Sequence, residues 1–304
     1  MRLILTGATG MIGAAIARLA VAKGWETLCI VHKGSKRLSR LPDSPLVTVF
    51  PADADAYASL HLKGTYDVLI HLAWDKTFGG GRDDVDAQLK NVQYTLDAVR
   101  LAKRSGCQAF IGAGSQAEYG PKQEKLAPST SVNPESGYGI AKLTAGLMAR
   151  LLCRQLDLRC VWTRILSVYG PGDGEQTFIS YLITALKRGI APELTPCQQI
   201  WDYCYCDDVA NAFLAIAERG KDGMCYPIGS GQGRPLAAYA QDIQAIVNPS
   251  VPLHLGARPY YPHQPMYLVA DIGDLVKDTG WKPAVGFEEG IRRIMEGDDC
   301  ELKI

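Results

Sequence analysis

The chain has 304 residues, 47% of them hydrophobic, with 32 basic residues set against 32 acidic ones. That length holds a nucleotide-binding domain plus a smaller substrate domain, and the balanced charge gives no global field toward nucleic acid or an anionic membrane, so the expected partner is a small molecule. No apolar run is long enough to span a bilayer, and the opening Met1 to Gly7 lacks the apolar stretch and cleavage site of a signal peptide. Nine cysteines, odd in number and scattered through apolar segments, read as reduced thiols, hence a cytoplasmic location.

In chain order, Arg2 to Thr6 is the first predicted strand and Ile12 to Lys23 the first helix, with apolar residues recurring at three- and four-residue spacings. Strands Thr27 to His32, Val47 to Pro51 and Val68 to Leu72 follow, then helix Val85 to Ser105, strand Ala109 to Ala113, helix Tyr138 to Leu156 and strand Arg159 to Ile165. Short β-type runs alternating with long amphipathic ones predict an α/β fold, a doubly wound parallel sheet with helices on both faces. Beyond Ile165 the turn chemistry thickens, as in Gly170-Pro-Gly-Asp-Gly174 and Gly229 to Gly233, and the alternation fades. Residues 1-166 are therefore expected to form a Rossmann domain, with 201-228 returning to it. Residues 167-200 and 229-304 are expected to form a C-terminal substrate-binding lobe.

Gly7, Gly10 and Gly13 lie between the first strand and first helix in Thr6-Gly-Ala-Thr-Gly-Met-Ile-Gly13. That context suits a dinucleotide: glycines allow a tight turn and close approach, and the helix N-terminus offers N–H groups and positive dipole to pyrophosphate. Thr9, Met11 and Ile12 belong to the same turn. A carboxylate after the second strand would bind a ribose 2′-hydroxyl, but Val31-His32-Lys33-Gly34-Ser35-Lys36-Arg37 carries none. His32, Lys33, Ser35 and Lys36 suit a 2′-phosphate instead, so NADP is favoured, with NAD the alternative; a merely solvated basic loop is the plainer reading. Asp53 is placed to accept from an adenine amino group, or to serve as a turn carboxylate.

Tyr138-Gly-Ile-Ala-Lys142 sets a phenol and an ammonium one helical turn apart, where the cation is expected to favour phenolate and make the tyrosine an acid or base. Ser115, after the fifth strand, is placed to hold a reacting oxygen, and Asn91 to bind a water relaying protons from Lys142. Together with Ile70-His-Leu-Ala73, Ser115-Gln-Ala-Glu-Tyr-Gly120, Arg164 to Gly172, Asp207-Asp-Val209 and Gly280-Trp-Lys-Pro283, these residues resemble the extended short-chain dehydrogenase/reductase superfamily. Within it, the chain resembles the nucleotide-sugar epimerase, dehydratase and reductase family nearly end to end. The resemblance implies Tyr138 as catalytic acid/base, Lys142 as anchor of the nicotinamide ribose, and Ser115 as orienter of the reacting oxygen. It also places Leu72, Ala73, Trp74, Ala113 and Ile165 along the cofactor, and implies a homodimer through a four-helix bundle. His71 ends a buried strand and reads as structural. The five histidines show no paired ligand spacing, and no metal is expected.

Family dehydratases carry an Asp-Glu pair after the catalytic hydroxyl, where this chain has Gln116 and Ala117, so dehydration is not expected. The segments resemble bacterial reductases of nucleotide-linked 4-keto-6-deoxyhexoses; a 4-epimerase is the second reading, and a non-catalytic NADP(H)-binding sensor the third. Two departures concern the substrate. Trp201 stands where the family has a diphosphate-binding arginine, and Tyr261-Pro-His-Gln264 replaces a second arginine segment. Each lost guanidinium removes charge-assisted bonds worth about 1.5–3 kcal/mol. Arg258, or Lys187 and Arg188, are candidate substitutes, with His263 adding partial charge. Trp201 either stacks on the ligand or packs in the core. Ser167, Phe178 and Tyr261 complete the expected substrate contacts together with Ser115 and Gln116, with Ser167 standing in the place of a family asparagine.

Overall fold

A computed structural model of the chain describes residues 1–261 and 264–301. The central strand β1 (Arg2–Thr6) leads into α1 (Met11–Ala22), then β2 (Glu26–Val31), β3 (Val47–Pro51) and β4 (Val68–His71). α2 (Val85–Arg104) crosses to β5 (Ala109–Ser115), and α3 (Gly137–Gln155) to β6 (Arg159–Ile165). Next come β7 (Ser167–Tyr169), α4 (Phe178–Lys187), β8 (Ile200–Trp201), β9 (Tyr203–Tyr205), α5 (Cys206–Arg219) and β10 (Cys225–Ile228). The chain ends through β11 (Arg234–Pro235), α6 (Leu236–Val247), β12 (Tyr267–Leu268), α7 (Gly273–Thr279) and α8 (Phe287–Glu301).

Seven strands form one parallel sheet in the order β10-β6-β5-β4-β1-β2-β3. Apart from the edge strand β3, both faces are buried, and the two-residue period of each strand divides its side chains between two cores. Leu3, Leu5, Val68, Ile70, Ala109 and Ile111 pack with α1 and α5. Ile4, Leu28, Leu69, Phe110 and Trp162 pack on the other face, with α2 and α3. The doubly wound fold read from the sequence is thus observed, with element ends shifted by one or two residues. β2 runs one residue earlier than expected, and β5 runs two residues further, so Ser115 closes the strand instead of following it.

Past β6 the chain builds two small sheets, β11-β8-β12 and β7-β9, while Cys225–Ile228 joins the main sheet beside β6. Asp202, fully buried between β8 and β9, ties these parts together. One carboxylate oxygen accepts the Ser230 N–H at 2.7 Å and the Ser230 hydroxyl at 2.6 Å; the other accepts the N–H groups of Gly231 at 3.0 Å and Ala270 at 3.1 Å. Strand order reverses between β1 and β4, and in an open parallel sheet that switch point leaves a crevice at the carboxyl ends of the strands. Among the described residues no helix is long and apolar enough to cross a membrane.

Candidate active site

The crevice begins at the glycine turn. Gly7 lies in the left-handed region at φ +69°, and a Cβ there would stand 2.8 Å from the Ala73 nitrogen; a Cβ on Gly13 would stand 2.3 Å from the Gly7 carbonyl oxygen. The turn is therefore pressed against the loop after β4, where the Ala73 N–H donates to Thr6 Oγ1 at 3.3 Å. Helix α1 starts with Gly10 as its N-cap, no side chain caps it, and no acidic residue occupies its first turn. Its first N–H groups and positive dipole end are left for an anionic group, which fits a pyrophosphate. The Ser35 hydroxyl donates to Thr9 Oγ1 at 3.4 Å, drawing the basic loop after β2 to the same place. Lys33 and Lys36 are exposed there. Asp53 straps that loop from below, accepting the Lys33 N–H at 2.9 Å, with His32 Nε2 3.5 Å away.

Ser115, Tyr138 and Lys142 come together at the carboxyl end of β5. The Ser115 hydroxyl accepts the Ala117 N–H at 3.2 Å and hydrogen-bonds the phenol of Tyr138, which lies in the first turn of α3 above the capping residue Ser136. Lys142 is buried one turn further on; its Nζ donates to the Ala113 carbonyl at 2.6 Å and sits 3.7 Å from the centroid of the Trp74 indole. Trp74 meets Tyr138 edge-on, with centroids 6.0 Å apart and an interplanar angle of 81°, and its Nε1–H donates to Gln88 Oε1 at 2.9 Å. The Asn91 amide grips the Asp75 backbone from both sides, accepting from its N–H and donating to its C=O at 3.0 Å each. Asn91 thereby fixes the loop that carries Trp74, and Lys142 bonds Ala113 rather than Asn91.

Electrostatics at this cluster differ from the simple phenol and ammonium pair. Burial raises the Tyr138 phenol above its ordinary range, opposed by the Ser115 hydrogen bond and the charge of Arg82, and assisted by Glu118. Burial brings Lys142 down to about 7, with Glu118 opposing. His71 is lowered to about 3 by burial and by Lys142, so it is neutral near pH 7. Its ring bridges Thr6 Oγ1 at 2.8 Å and Thr95 Oγ1 at 3.3 Å. Since the Thr95 hydroxyl donates to the Asn91 carbonyl, the consistent tautomer carries its proton on Nε2 and accepts from Thr6.

Two residues at the site carry no role in the sequence reading. Glu118, with no exposed surface, accepts the Ser115 N–H at 2.8 Å and the Trp162 Nε1–H at 3.0 Å on one oxygen, and Arg164 Nε at 2.8 Å on the other. It holds the backbone that presents the Ser115 hydroxyl. The signal was local: Ser115-x-x-Glu118 is a capping box. Arg82, whose guanidinium lies 4.4 Å from the Tyr138 ring centroid, had no such signal.

The expected substrate residues separate into groups. Gln116 adjoins Ser115, half-buried, and the Trp201 Nε1–H donates to Ser167 Oγ at 2.8 Å, so these two form one unit, half-buried between two core clusters. Phe178 opens α4 and packs on the larger core, while Lys187 and Arg188 stand at that helix's far end. Arg258 pairs with Glu193 at 3.3 Å, both exposed, and Tyr261 is 74% exposed. His263 lies outside the described residues.

A parallel sheet whose switch point carries an open glycine turn, beside a phenol and a lysine one helical turn apart, is the arrangement of a nicotinamide-dependent short-chain dehydrogenase/reductase, and the chain is an enzyme of that class. Residues 3–229 match the model of the NAD dependent epimerase/dehydratase family, and the chain belongs to that family, bearing out the resemblance of its motifs. It is 24% identical to dTDP-4-dehydro-6-deoxyglucose reductase of Escherichia coli over 245 residues, 77% of this chain and 75% of that protein. It is 35% identical to CDP-abequose synthase of Salmonella typhimurium over 146 residues, 46% of this chain and about half (48%) of that relative's length. Among solved structures, UDP-glucose 4-epimerase of Thermotoga maritima with UDP-glucose shares the fold with a TM-score of 0.86 and 22% identity, covering 99% of this chain and 100% of that one.

Proposed function

We propose that the chain reduces the 4-keto group of a nucleotide-linked 6-deoxyhexose, with Tyr138 as proton donor and NADPH as the favoured cofactor. The observation that carries this reading is the convergence of Ser115, Tyr138 and Lys142 beside Gln116 and Ala117, an amide and a methyl where elimination of water would need an acid and a base. The Ser115 hydroxyl and the Tyr138 phenol hold the carbonyl oxygen, and the phenol gives its proton as negative charge develops there. Lys142 holds the ribose hydroxyls of the cofactor, Asn91 completes the proton relay through water, and Lys33, Ser35, Lys36 and His32 face the 2′-phosphate. Bound nicotinamide supplies the hydride. Residues 167-200 and 229-304 form the lobe receiving the nucleotide sugar, over a dinucleotide domain of 1-166 and 201-228. Trp201 with Ser167, and Phe178, face the ligand there. The scattering of the cysteines through apolar segments supports a cytoplasmic setting.

A 4-epimerase would use the same three residues, and the whole-chain fold match to UDP-glucose 4-epimerase supports it as the second reading. The test is NADPH and NADH consumption with CDP-, dTDP-, UDP- and GDP-4-keto-6-deoxyhexoses, with product masses. Stoichiometric NADPH loss and a gain of two hydrogens are expected, with kcat reduced roughly 10²–10⁴-fold in Tyr138→Phe and cofactor affinity retained. Isomerised sugar without net oxidation would establish the epimerase; full activity of Tyr138→Phe would remove the mechanism.

A further inference from the structure

We propose that Arg82 is a positioning residue that biases Tyr138 toward phenolate in addition to Lys142; the inference rests on the acid/base role given to Tyr138 above. The guanidinium of Arg82 faces the Tyr138 ring at 4.4 Å from its centroid, whereas Lys142 Nζ is 5.8 Å away. The ammonium is also committed elsewhere, to the Ala113 carbonyl and the Trp74 indole face. Burial moves Lys142 toward neutrality, while a guanidinium keeps its charge across the physiological range. A cation this close favours the ionised phenol over the neutral one.

The turn that carries Arg82 is held at both sides, which fixes its backbone beside the ring. It lies in a 3-10 turn, Gly79–Asp83, between β4 and α2. On one side Gln88 Nε2 donates to the carbonyls of Lys76 and Gly81, each at 3.1 Å, and Lys76 pairs with Asp84, the N-cap of α2. On the other, Asp83 Oδ1 accepts the Gly137 N–H at 2.8 Å, joining the turn to the first residue of the helix that carries Tyr138. A Cβ on Gly137 would stand 3.0 Å from the Arg82 carbonyl oxygen. The remaining groups around the phenol are the Ser115 hydroxyl and, from the turn after β5, Glu118, whose two oxygens are already taken by Ser115, Trp162 and Arg164.

The test is a pH titration of tyrosine carrying carbon-13 at Cζ, with and without NADP⁺, the Tyr138 resonance being assigned by its absence from Tyr138→Phe. In Arg82→Gln and Arg82→Met the Tyr138 midpoint should rise by about one pH unit, and Arg82→Lys should retain the lower midpoint in part. The dispersion of the other tyrosine resonances reports folding in each variant, and two neutral replacements guard against loss of one. Reduction needs the protonated phenol, so the alkaline limb of kcat should move to higher pH in the neutral variants. An unchanged midpoint in a folded neutral variant overturns the inference. Because the titration needs no sugar, a silent substrate panel would remove the proposed reaction without deciding the role of Arg82.

Discussion

Lys142 shows at the scale of one residue how the site is at odds with the stability of the fold. The folded protein releases its proton near pH 7, while an exposed lysine holds it to 10.5. Between those values the unfolded chain binds more protons, so stability rises with pH through that window, and the cost of burying the charge is fully felt below pH 7. Lys142→Met removes that cost along with the bond to Ala113. We expect the variant to be more stable by on the order of 2–3 kcal/mol at pH 6, with the advantage gone by about pH 10.5, and to be inactive. Urea unfolding across that range checks it; a variant equally or less stable at pH 6 would mean that Lys142 is charged and well solvated in the folded protein. The residues of this cluster were legible to different degrees. Tyr138 and Lys142 are legible through their spacing along one helix taken with Ser115 at the preceding strand. Arg82 is not, because the ring it covers is far along the chain and the two segments meet through tertiary contacts such as the Gly137–Asp83 bond.

Among the elements, the turn from β1 to α1 separates folding from binding. A Cβ on Gly13 would overlap the Gly7 carbonyl oxygen at 2.3 Å, whereas one on Gly10 would meet only that oxygen, at 3.4 Å, and otherwise project toward the open end of α1. Gly13→Ala should therefore cost about 1–3 kcal/mol in urea unfolding and weaken cofactor, while Gly10→Ala should leave stability near wild type and weaken NADPH alone, as read by NADPH fluorescence titration. Equal stability losses in both would show that the turn relaxes as a unit. The first turn was readable because strand, glycines and helix are adjacent in sequence. β5 was read short for the opposite reason. Gly112 and Gly114 look like strand breakers, yet each faces Trp162, and a Cβ at either would stand 2.1–2.3 Å from that indole. The glycines make room for a side chain from β6 instead of ending the strand. Strands β8, β11 and β12, of two residues each, carry no period to detect, and their arrangement follows from the buried carboxylate of Asp202, whose partners lie 28 to 68 residues away.

At the scale of the molecule, the two faces of the sheet are covered differently. α1 and α5 sit over one core, while α2 and α3, packed side by side over the other, keep apolar residues on their outer surface. Val85 and Leu89 of α2, at 71% and 66% exposure, and Ile140, Leu147, Met148 and Leu151 of α3 form stripes at helical spacings. A charged α2, with Asp86, Lys90 and Arg100 elsewhere on its surface, has no need of such a stripe in water unless another surface covers it. Two copies meeting by α2 and α3 would bury both stripes in a four-helix packing, as the family resemblance implies. The expected state at micromolar concentration is a dimer by analytical ultracentrifugation, and Leu147→Glu with Leu151→Glu should give a folded monomer, because both side chains point away from the protomer's own core. Tyr138 and Lys142 lie on the same helix, facing the opposite way, so the monomer should still bind NADPH while kcat falls if the partner steadies α3. A monomeric wild type at those concentrations would leave the stripe without its proposed cover, and a dimeric double variant would place the contact between copies on another face.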